Sequence, residues 1–184
     1  MNDLMYNKKT AFIALFLMVL ISIFILGGNG LRREHLRVLD VMNGHNEFGV
    51  NVVTESEIIL ANSANLLVVA SRYIDTSGRR LVELRGFGDP NAEEWENNFN
   101  RVDEFLPDVY QLLGDLATID IEPRSAEQLT EIEINIYAAL RRIRLSGYNE
   151  LVEDFNKLLR NPYTGMIATV RGISGFRTIA ESFL

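Results

Sequence analysis

The sequence predicts an all-α protein in which a single N-terminal transmembrane helix precedes an elongated antiparallel helical bundle. An uncharged run extends from Thr10 to Leu31, which reaches the roughly 20 residues that a helix needs to cross a bilayer. Further along the chain, apolar residues recur at alternating spacings of four and three, as in long amphipathic helices. We therefore expect a short tail at residues 1–9, a transmembrane helix at 10–30 and a helical bundle domain at 31–184.

The composition limits which kinds of partner and chemistry the chain can support. Its 184 residues are enough for one domain with a sizeable core. A formal net charge of −7 disfavours nucleic acid as a partner, because nucleic acid is bound by basic surfaces. The chain contains no cysteine, which excludes disulfides, thiolate nucleophiles and cysteine-ligated metals.

The apolar segment Ala11–Leu26 reads AFIALFLMVLISIFIL and is interrupted only by Ser22. In lipid a backbone must satisfy its own hydrogen bonds, so this segment predicts a spanning helix that contacts the bilayer through residues 10–30. A cleaved secretory signal is the alternative. Apolar regions of signals usually run about 7 to 15 residues before a small-residue cleavage site. The length here, with no Ala-x-Ala after it, favours an uncleaved anchor.

The flanking charges leave the orientation of this helix open. Lys8 and Lys9 precede it, whereas Arg32, Arg33 and Arg37 follow it. Basic residues near the helix ends tend to stay in the cytoplasm, and the two sides nearly balance. The side of the membrane that holds the C-terminal domain is therefore not decided by the sequence.

The first part of the bundle domain predicts one long helix from about Leu31 to Asp75. Its glycines, Gly44 and Gly49, predict a bend or weak spot, since each costs about 1 kcal/mol in a helix interior. Ser77-Gly78 and then Gly86-x-Gly88 predict breaks. The apolar positions in the C-terminal half of this predicted helix are Ile58, Leu60, Leu66, Leu67, Val69 and Ile74.

A second helix is predicted to start at Asp89-Pro90, with Asp as the N-cap and Pro at the first helical position. Pro107 predicts a kink or a fresh helix start within it, because proline cannot donate to the preceding turn. Its apolar seam comprises Trp95, Phe99, Val102, Leu106, Val109, Leu113 and Leu116.

After a linker at residues 119–123, Ser125-x-x-Gln128 is a capping box that predicts a helix running to about Arg160. Asn161-Pro162 then predicts its end, because the residue before proline avoids the helical region. A last amphipathic segment is expected to pack against the bundle, with a place on a membrane surface as the alternative. Its apolar line comprises Met166, Val170, Ile173, Phe176, Ile179 and Phe183.

An aromatic-amide pair recurs one heptad apart, first as Tyr148-Asn149 and then as Phe155-Asn156. The aromatic residues fall on the apolar line of the helix. Each asparagine follows about 100° further around and flanks that line. An amide at the margin of a core can pair with the backbone or a side chain of a neighbouring helix and thereby fix its alignment. The alternative is that both amides face water.

The spacing of these residues, YN-x-x-V-x-x-FN followed by an Asn-Pro turn, resembles the C-terminal signature of the LemA family. Leu129-x-x-Ile132-Glu133-x-x-Ile136 is similar to a Leu-rich helix of that family, and Asn65-Leu66 with Tyr73 to the end of its first long helix. Phe48-Gly49 and Ile58-Ile59 stand where the family usually has Ala-Trp and Arg-Arg, which indicates a divergent branch. The matching signature residues are Tyr148, Asn149, Val152, Phe155, Asn156 and Pro162.

The resemblance implies a membrane-anchored, non-enzymatic helical scaffold or interaction protein, single-pass in the bacterial cytoplasmic (inner) membrane. One branch of the family serves magnetosome membrane formation, so membrane organisation or protein assembly is the implied role. The long apolar seams also predict a homo-oligomer, or another membrane protein bound through the helical faces.

No catalytic, metal-binding or cofactor-binding residues are predicted. A four-helix di-metal enzyme needs Glu-x-x-His pairs, but Arg32 and Met42 stand three residues before the two histidines. We interpret His35 and His45 as lone surface residues. The alternative function is an extracytoplasmic four-helix-bundle sensor or ligand-binding module, although such proteins usually carry a second membrane helix and an output domain.

Overall fold

A computed structural model describes residues 2–84 and 102–179. These residues form helices and no strand, apart from one isolated antiparallel bridge between Asn43 and Asn51. The predicted all-α class is therefore confirmed for the described part of the chain. The elements are α1 (Asn2–Met42), α2 (Val52–Ala70), a 3-10 helix (Arg80–Leu84), α3 (Val102–Leu116), α4 (Pro123–Leu145), α5 (Tyr148–Arg160) and α6 (Pro162–Arg171).

The chain divides into two compact units. The first unit comprises Met1–Leu39 and Val152–Phe176, and the second comprises Asp40–Leu151 and Arg177–Leu184. Helix α1 passes without a break through the predicted transmembrane range and on to Met42. The predicted turn at Gly86-x-Gly88, the helix start at Asp89-Pro90, and Trp95, Phe99 and Phe183 lie outside the described residues.

The chain between α1 and α2 contains a complete break rather than the predicted bend. Gly44 and Gly49 have φ angles of 89° and 64°, a left-handed backbone that glycine adopts without steric cost. Asn46 stabilises the turn: its side-chain amide donates to the Val50 carbonyl at 2.6 Å and accepts from the Val50 N–H at 3.1 Å. Asn51 then caps α2 by accepting from the Thr54 N–H at 3.0 Å.

The predicted continuous helix from Ser125 to Arg160 is also wrong. The observed helix, α4, begins earlier, at Pro123, because proline has a φ suited to the first helical turn. Ser125 is therefore a buried residue inside the helix rather than its cap. At the other end Gly147, with φ 69°, separates α4 from α5, and the Tyr148 N–H donates to Ser146 Oγ at 3.2 Å.

Three further predictions can be compared with the helices. The Asn161-Pro162 break is confirmed: Asn161 caps α6 and Pro162 occupies its first turn. Pro107 lies inside α3, which neither begins nor ends there. The last segment is helical only to Arg171, because Gly172 is left-handed with φ 65° and ends α6. Residues 173–179 continue without regular secondary structure.

The core of the second unit forms where α2 packs against α4, α3 and the 3-10 helix. Helices α2 and α4 run antiparallel, since Glu55 near the start of α2 pairs with Arg142 near the end of α4 at 2.8 Å. Three small buried residues recur each seventh position on α2, namely Ser56, Ser63 and Ala70. Small side chains let helices approach closely, and both serine hydroxyls donate to their own helix backbone four residues earlier.

Helix α2 is the helix, within the described part of the chain, that is long and apolar enough to cross a membrane. Burial helps to interpret this helix, because 44% of its 18-residue apolar window is buried inside the protein. The core helix of a water-soluble unit passes the same length test. A shorter apolar helical stretch is found at Thr10–Val19 within α1.

The break at Gly147 generates a testable prediction. Replacing Gly147 with Ala forces a side chain into the left-handed region, which costs about 1–2 kcal/mol of unfolding free energy. Urea unfolding of the full chain in detergent, followed by circular dichroism, measures this loss. The matched control is Gly114→Ala, an exposed site inside α3 with open space around it. There alanine should stabilise by about 0.5–1 kcal/mol. Equal effects at the two sites would contradict the assignment.

Candidate functional site at the C-terminal segment

The structure places five of the six signature residues on α5 and the sixth at the start of α6. Tyr148, Val152 and Phe155 are buried, while Asn149 and Asn156 are half-buried beside them. Pro162 is exposed in the first turn of α6. The aromatic residues thus lie in the core and the amides lie at its margin.

In the first unit, Asn156 binds the backbone of Phe176 through both ends of its amide. Its Nδ2 donates to the Phe176 carbonyl at 2.8 Å, and its Oδ1 accepts from the Phe176 N–H at 3.2 Å. The preceding residue, Gly175, is part of the same arrangement. A Cβ at this position would lie 2.6 Å from Asn156 Oδ1, closer than real contacts allow. Glycine is therefore required for the segment to approach α5.

In the second unit, Asn149 binds the backbone of Ile179 in the same way. Its Nδ2 donates to the Ile179 carbonyl at 2.7 Å, and its Oδ1 accepts from the Ile179 N–H at 2.9 Å. The neighbouring Tyr148 hydroxyl donates to the Arg177 carbonyl at 3.1 Å. Burial raises the pKa of Tyr148, so its hydroxyl stays protonated and remains a donor. We call the Asn149–Ile179 and Asn156–Phe176 pairs the amide clamps.

The amide clamps explain why the pair recurs after seven residues. Seven residues of helix rise about 10.5 Å, and three residues of extended chain cover about 10 Å. Asparagines a heptad apart can therefore each meet a residue on an extended segment at a spacing of three. The predicted partner was a neighbouring helix, but the observed partner is the backbone of residues 176 and 179. The apolar spacing of residues 173–179 predicted a helix, so periodicity did not indicate this partner, and Gly172 is the local sign that α6 ends before it.

His35 of α1 lies against two aromatic rings of the first unit. Its ring centroid is 5.7 Å from that of Phe155 and 4.9 Å from that of Phe176, and the two phenylalanine rings are 5.6 Å apart. The prediction of a lone surface histidine is therefore wrong for His35, whereas His45 is exposed. Burial lowers the pKa of His35. Its sequence neighbours are charged, so the local pattern gives no sign of this contact.

Two open grooves lie in the second unit. One, of about 400 Å³ between α2 and α4, is lined by Asn62, Asn65, Arg72, Gln128 and Asn135 among others. The other, of about 430 Å³ between α3 and α4, is lined largely by apolar side chains and by Tyr110 and Tyr137. Across residues 2–84 and 102–179, no three His, Asp or Glu side chains are grouped so that they could hold a metal ion.

The amide clamps predict a strong difference between two conservative substitutions. Asn156→Asp keeps the acceptor but loses the donor to Phe176, and it sets a carboxylate oxygen against a carbonyl. Leaving a half-buried backbone group unpaired costs about 1–3 kcal/mol, so the segment should open about 5- to 150-fold more often. Tryptic cleavage after Arg177 measures this opening, because proteolysis follows the population of the open form.

The matched control is Asn161→Asp at the α6 cap. Asn161 only accepts there, from the Tyr163 N–H at 3.0 Å, and aspartate caps a helix equally well. Its cleavage rate after Arg177 should match that of the unmodified chain. Similar rates for the Asn156→Asp and Asn161→Asp variants would contradict the clamp.

The His35 cluster predicts a pH dependence of stability. Because the pKa is lowered from 6.5 in the folded state, the unfolded chain binds the proton first as the pH falls. The contribution is therefore complete above the unfolded pKa and is lost as the pH falls toward the folded pKa. The melting temperature should decrease between about pH 8 and about pH 5.5. His35→Phe keeps a ring and removes the titration, so an unchanged pH slope in that variant would refute the assignment.

Comparisons of the chain with known protein families, with curated proteins and with solved structures return no match. The resemblance to the LemA family therefore rests on the signature residues themselves.

Proposed function

We propose that this chain is a membrane-anchored, non-enzymatic helical scaffold or interaction protein of the LemA type. The observation that carries the proposal is the exposure of apolar side chains on all sides of α1. Five consecutive residues, 15–19, are exposed, and at 100° per residue they surround the helix. A single packing face cannot cover such a helix, whereas lipid can. The exposed large side chains are Phe12, Ile13, Leu15, Phe16, Leu17, Met18, Val19, Ile21 and Leu26.

The proposal assigns the membrane crossing to α1 and not to α2. Helix α2 meets the length criterion, but its apolar face is buried against α3 and α4, and it carries Glu55 and Glu57. Residues 10–30 of α1 carry no charge and supply about 31 Å of helix, the thickness of a hydrocarbon core. This gives a single-pass protein of the bacterial cytoplasmic membrane, with the side of the C-terminal part left open.

An interaction surface is available on α4. Ile134, Tyr137 and Leu145 are all exposed. They lie on one side of the helix, because the positions three and eleven residues after Ile134 fall within about 80° of one another around the axis. Exposed apolar rows rimmed by charge are typical of association sites. The proposed occupant is a second copy of the chain or another membrane protein. The net charge of −7 disfavours nucleic acid.

The amide clamps support the likeness to the LemA signature, because each signature residue on α5 has a structural role there. Tyr148, Val152 and Phe155 fill the core, and the asparagines hold the C-terminal segment. Asn149 and Asn156 each use Nδ2 and Oδ1 to bind backbone groups, and a carboxamide neither titrates near neutral pH nor acts as a nucleophile. A role in membrane organisation or protein assembly follows from the family by analogy.

The alternative function is an extracytoplasmic sensor or ligand-binding module. The groove of about 400 Å³ between α2 and α4 favours it, because its amide side chains could bind a small polar molecule. The groove is open, and its lining is mixed, with Val68, Val69 and Ile132 beside the polar side chains, whereas small-molecule sites are predominantly apolar. The sensor also requires the second unit to lie outside the cytoplasm, which the scaffold does not.

The anchor is tested by the double variant Leu17→Arg and Ile21→Arg, made in the full chain. Each arginine near the middle of a spanning helix costs about 2.5–3.5 kcal/mol of insertion. The variant should therefore leave the membrane pellet during alkaline extraction, while the unmodified chain stays. Immunoblotting of the two fractions measures the partition.

The matched control is Ile134→Arg, an equally apolar and exposed site that lies on α4. It should stay in the pellet but give less cross-linked dimer in native membranes. If the unmodified chain yields only monomer and no co-purifying protein, the interaction part of the proposal fails. If the double variant stays in the pellet, the anchor assignment fails.

A further inference from the structure

Helix α6 presents an apolar face to solvent. Tyr163, Met166 and Val170 are exposed by 50%, 51% and 70%, and their spacings of three and four place them on one side of the helix. The residues that bury against the first unit are instead Ile167 and Ala168. The predicted packing of Met166 and Val170 is therefore wrong, and a different environment has to cover them.

Helix α6 meets α1 at the last turn of the proposed membrane span. Gly27 lets Ile167 approach so closely that a Cβ on the glycine would lie 3.0 Å from Ile167 Cδ1. A Cβ on Gly28 would overlap the Arg171 guanidinium, and Arg171 Nη1 donates to Asn29 Oδ1 at 3.3 Å. The first unit thus joins α6 to residues 27–29, at the level where the span of residues 10–30 reaches the headgroups.

We propose that α6 is an interfacial helix, with Tyr163, Met166 and Val170 immersed in the bilayer that α1 crosses. Leu26 of α1, which precedes the contact between Gly27 and Ile167, is also exposed. Tyrosine favours the level of the headgroups, with its ring in the apolar zone and its hydroxyl in water. At the other end of α6, the Arg171 guanidinium lies over Gly28 and beside Asn29, at the level proposed for the headgroups, where a cation is attracted to anionic lipid. This inference rests on the proposed anchor and adds a second membrane contact.

A bilayer fits this face better than a second protein chain does. An interfacial helix needs a narrow apolar strip with a polar strip beside it. Thr169 is exposed and lies about 60–120° around the helix from the three residues of the strip, so one side of α6 would enter the lipid and the next would face water. The apolar strip ends with the helix, because Gly172 turns the chain at that point.

The absence of cysteine allows a direct test with one thiol at a time. Met166→Cys, Val170→Cys, Thr169→Cys and Phe16→Cys are each labelled with an environment-sensitive fluorophore in the full chain. The labelled proteins are reconstituted in vesicles of phosphatidylcholine and phosphatidylglycerol. Part of the phosphatidylcholine carries a nitroxide quencher high on its acyl chain. All four sites are exposed, so the substitutions leave the packing intact.

We expect labels at Met166 and Val170 to lose more fluorescence to the quencher, and to emit further to the blue, than the label at Thr169. Equal quenching at the three α6 sites would overturn the proposal, as would its absence at all three when Phe16 is quenched. The label at Phe16 distinguishes a failure of the interfacial-helix proposal from a failure of the anchor proposal. If it too escapes quenching when the quencher is moved to the bilayer centre, the anchor itself fails and the interfacial helix fails with it.

Discussion

An extended chain that packs against a helix brings its own N–H and C=O groups out of water, and each of them needs a partner. The C-terminal segment meets this constraint through side chains, because α5 has no free backbone groups to offer along its length. Asparagine suits the task, since one amide supplies a donor and an acceptor at the spacing of a peptide group. The two amide clamps and the Tyr148 hydroxyl together bind three carbonyls and two N–H groups of the segment.

This constraint accounts for several local choices in the chain. Gly172 ends α6 so that an extended segment can follow, and Gly175 removes the side chain that would collide with Asn156. The left-handed Gly147 ends α4, and the Ser146 hydroxyl accepts the first N–H of α5. Because α5 starts anew after Gly147, the directions in which its side chains point do not follow from those of α4. The signature therefore specifies contacts to backbone, which place few limits on the sequence of the segment that they hold.

The sequence predicted the helical class, the Asn161-Pro162 break and the core positions of Tyr148 and Phe155 on α5, because these depend on periodicity and on proline. It predicted only a bend at Gly44–Gly49, and it did not predict the break at Ser146–Gly147. An isolated glycine reads as a weak helical residue, and only the tertiary structure shows that its φ is positive. The His35 contacts were missed for a related reason: the residues that bury it, Phe155 and Phe176, lie far along the chain. The spacing of apolar residues predicts which face of a helix is buried, but it does not predict that a segment without regular secondary structure packs against that face.

Exposed apolar side chains of this chain have different surroundings on α4, α1 and α6. On α4 the exposed residues Ile134, Tyr137 and Leu145 are interspersed with charged residues such as Arg141 and Arg144, so this side of the helix is compatible with contact to water. On α1 the consecutive residues 15–19 are exposed on all sides of the helix, which is why we propose that lipid covers this stretch. Helix α6 differs from both, because its apolar strip lies next to exposed Thr169 and because it contacts residues 27–29 of α1. Under the anchoring proposed above, residues 15–19 would face the lipid core and α6 the headgroups, which is the order that a bilayer provides.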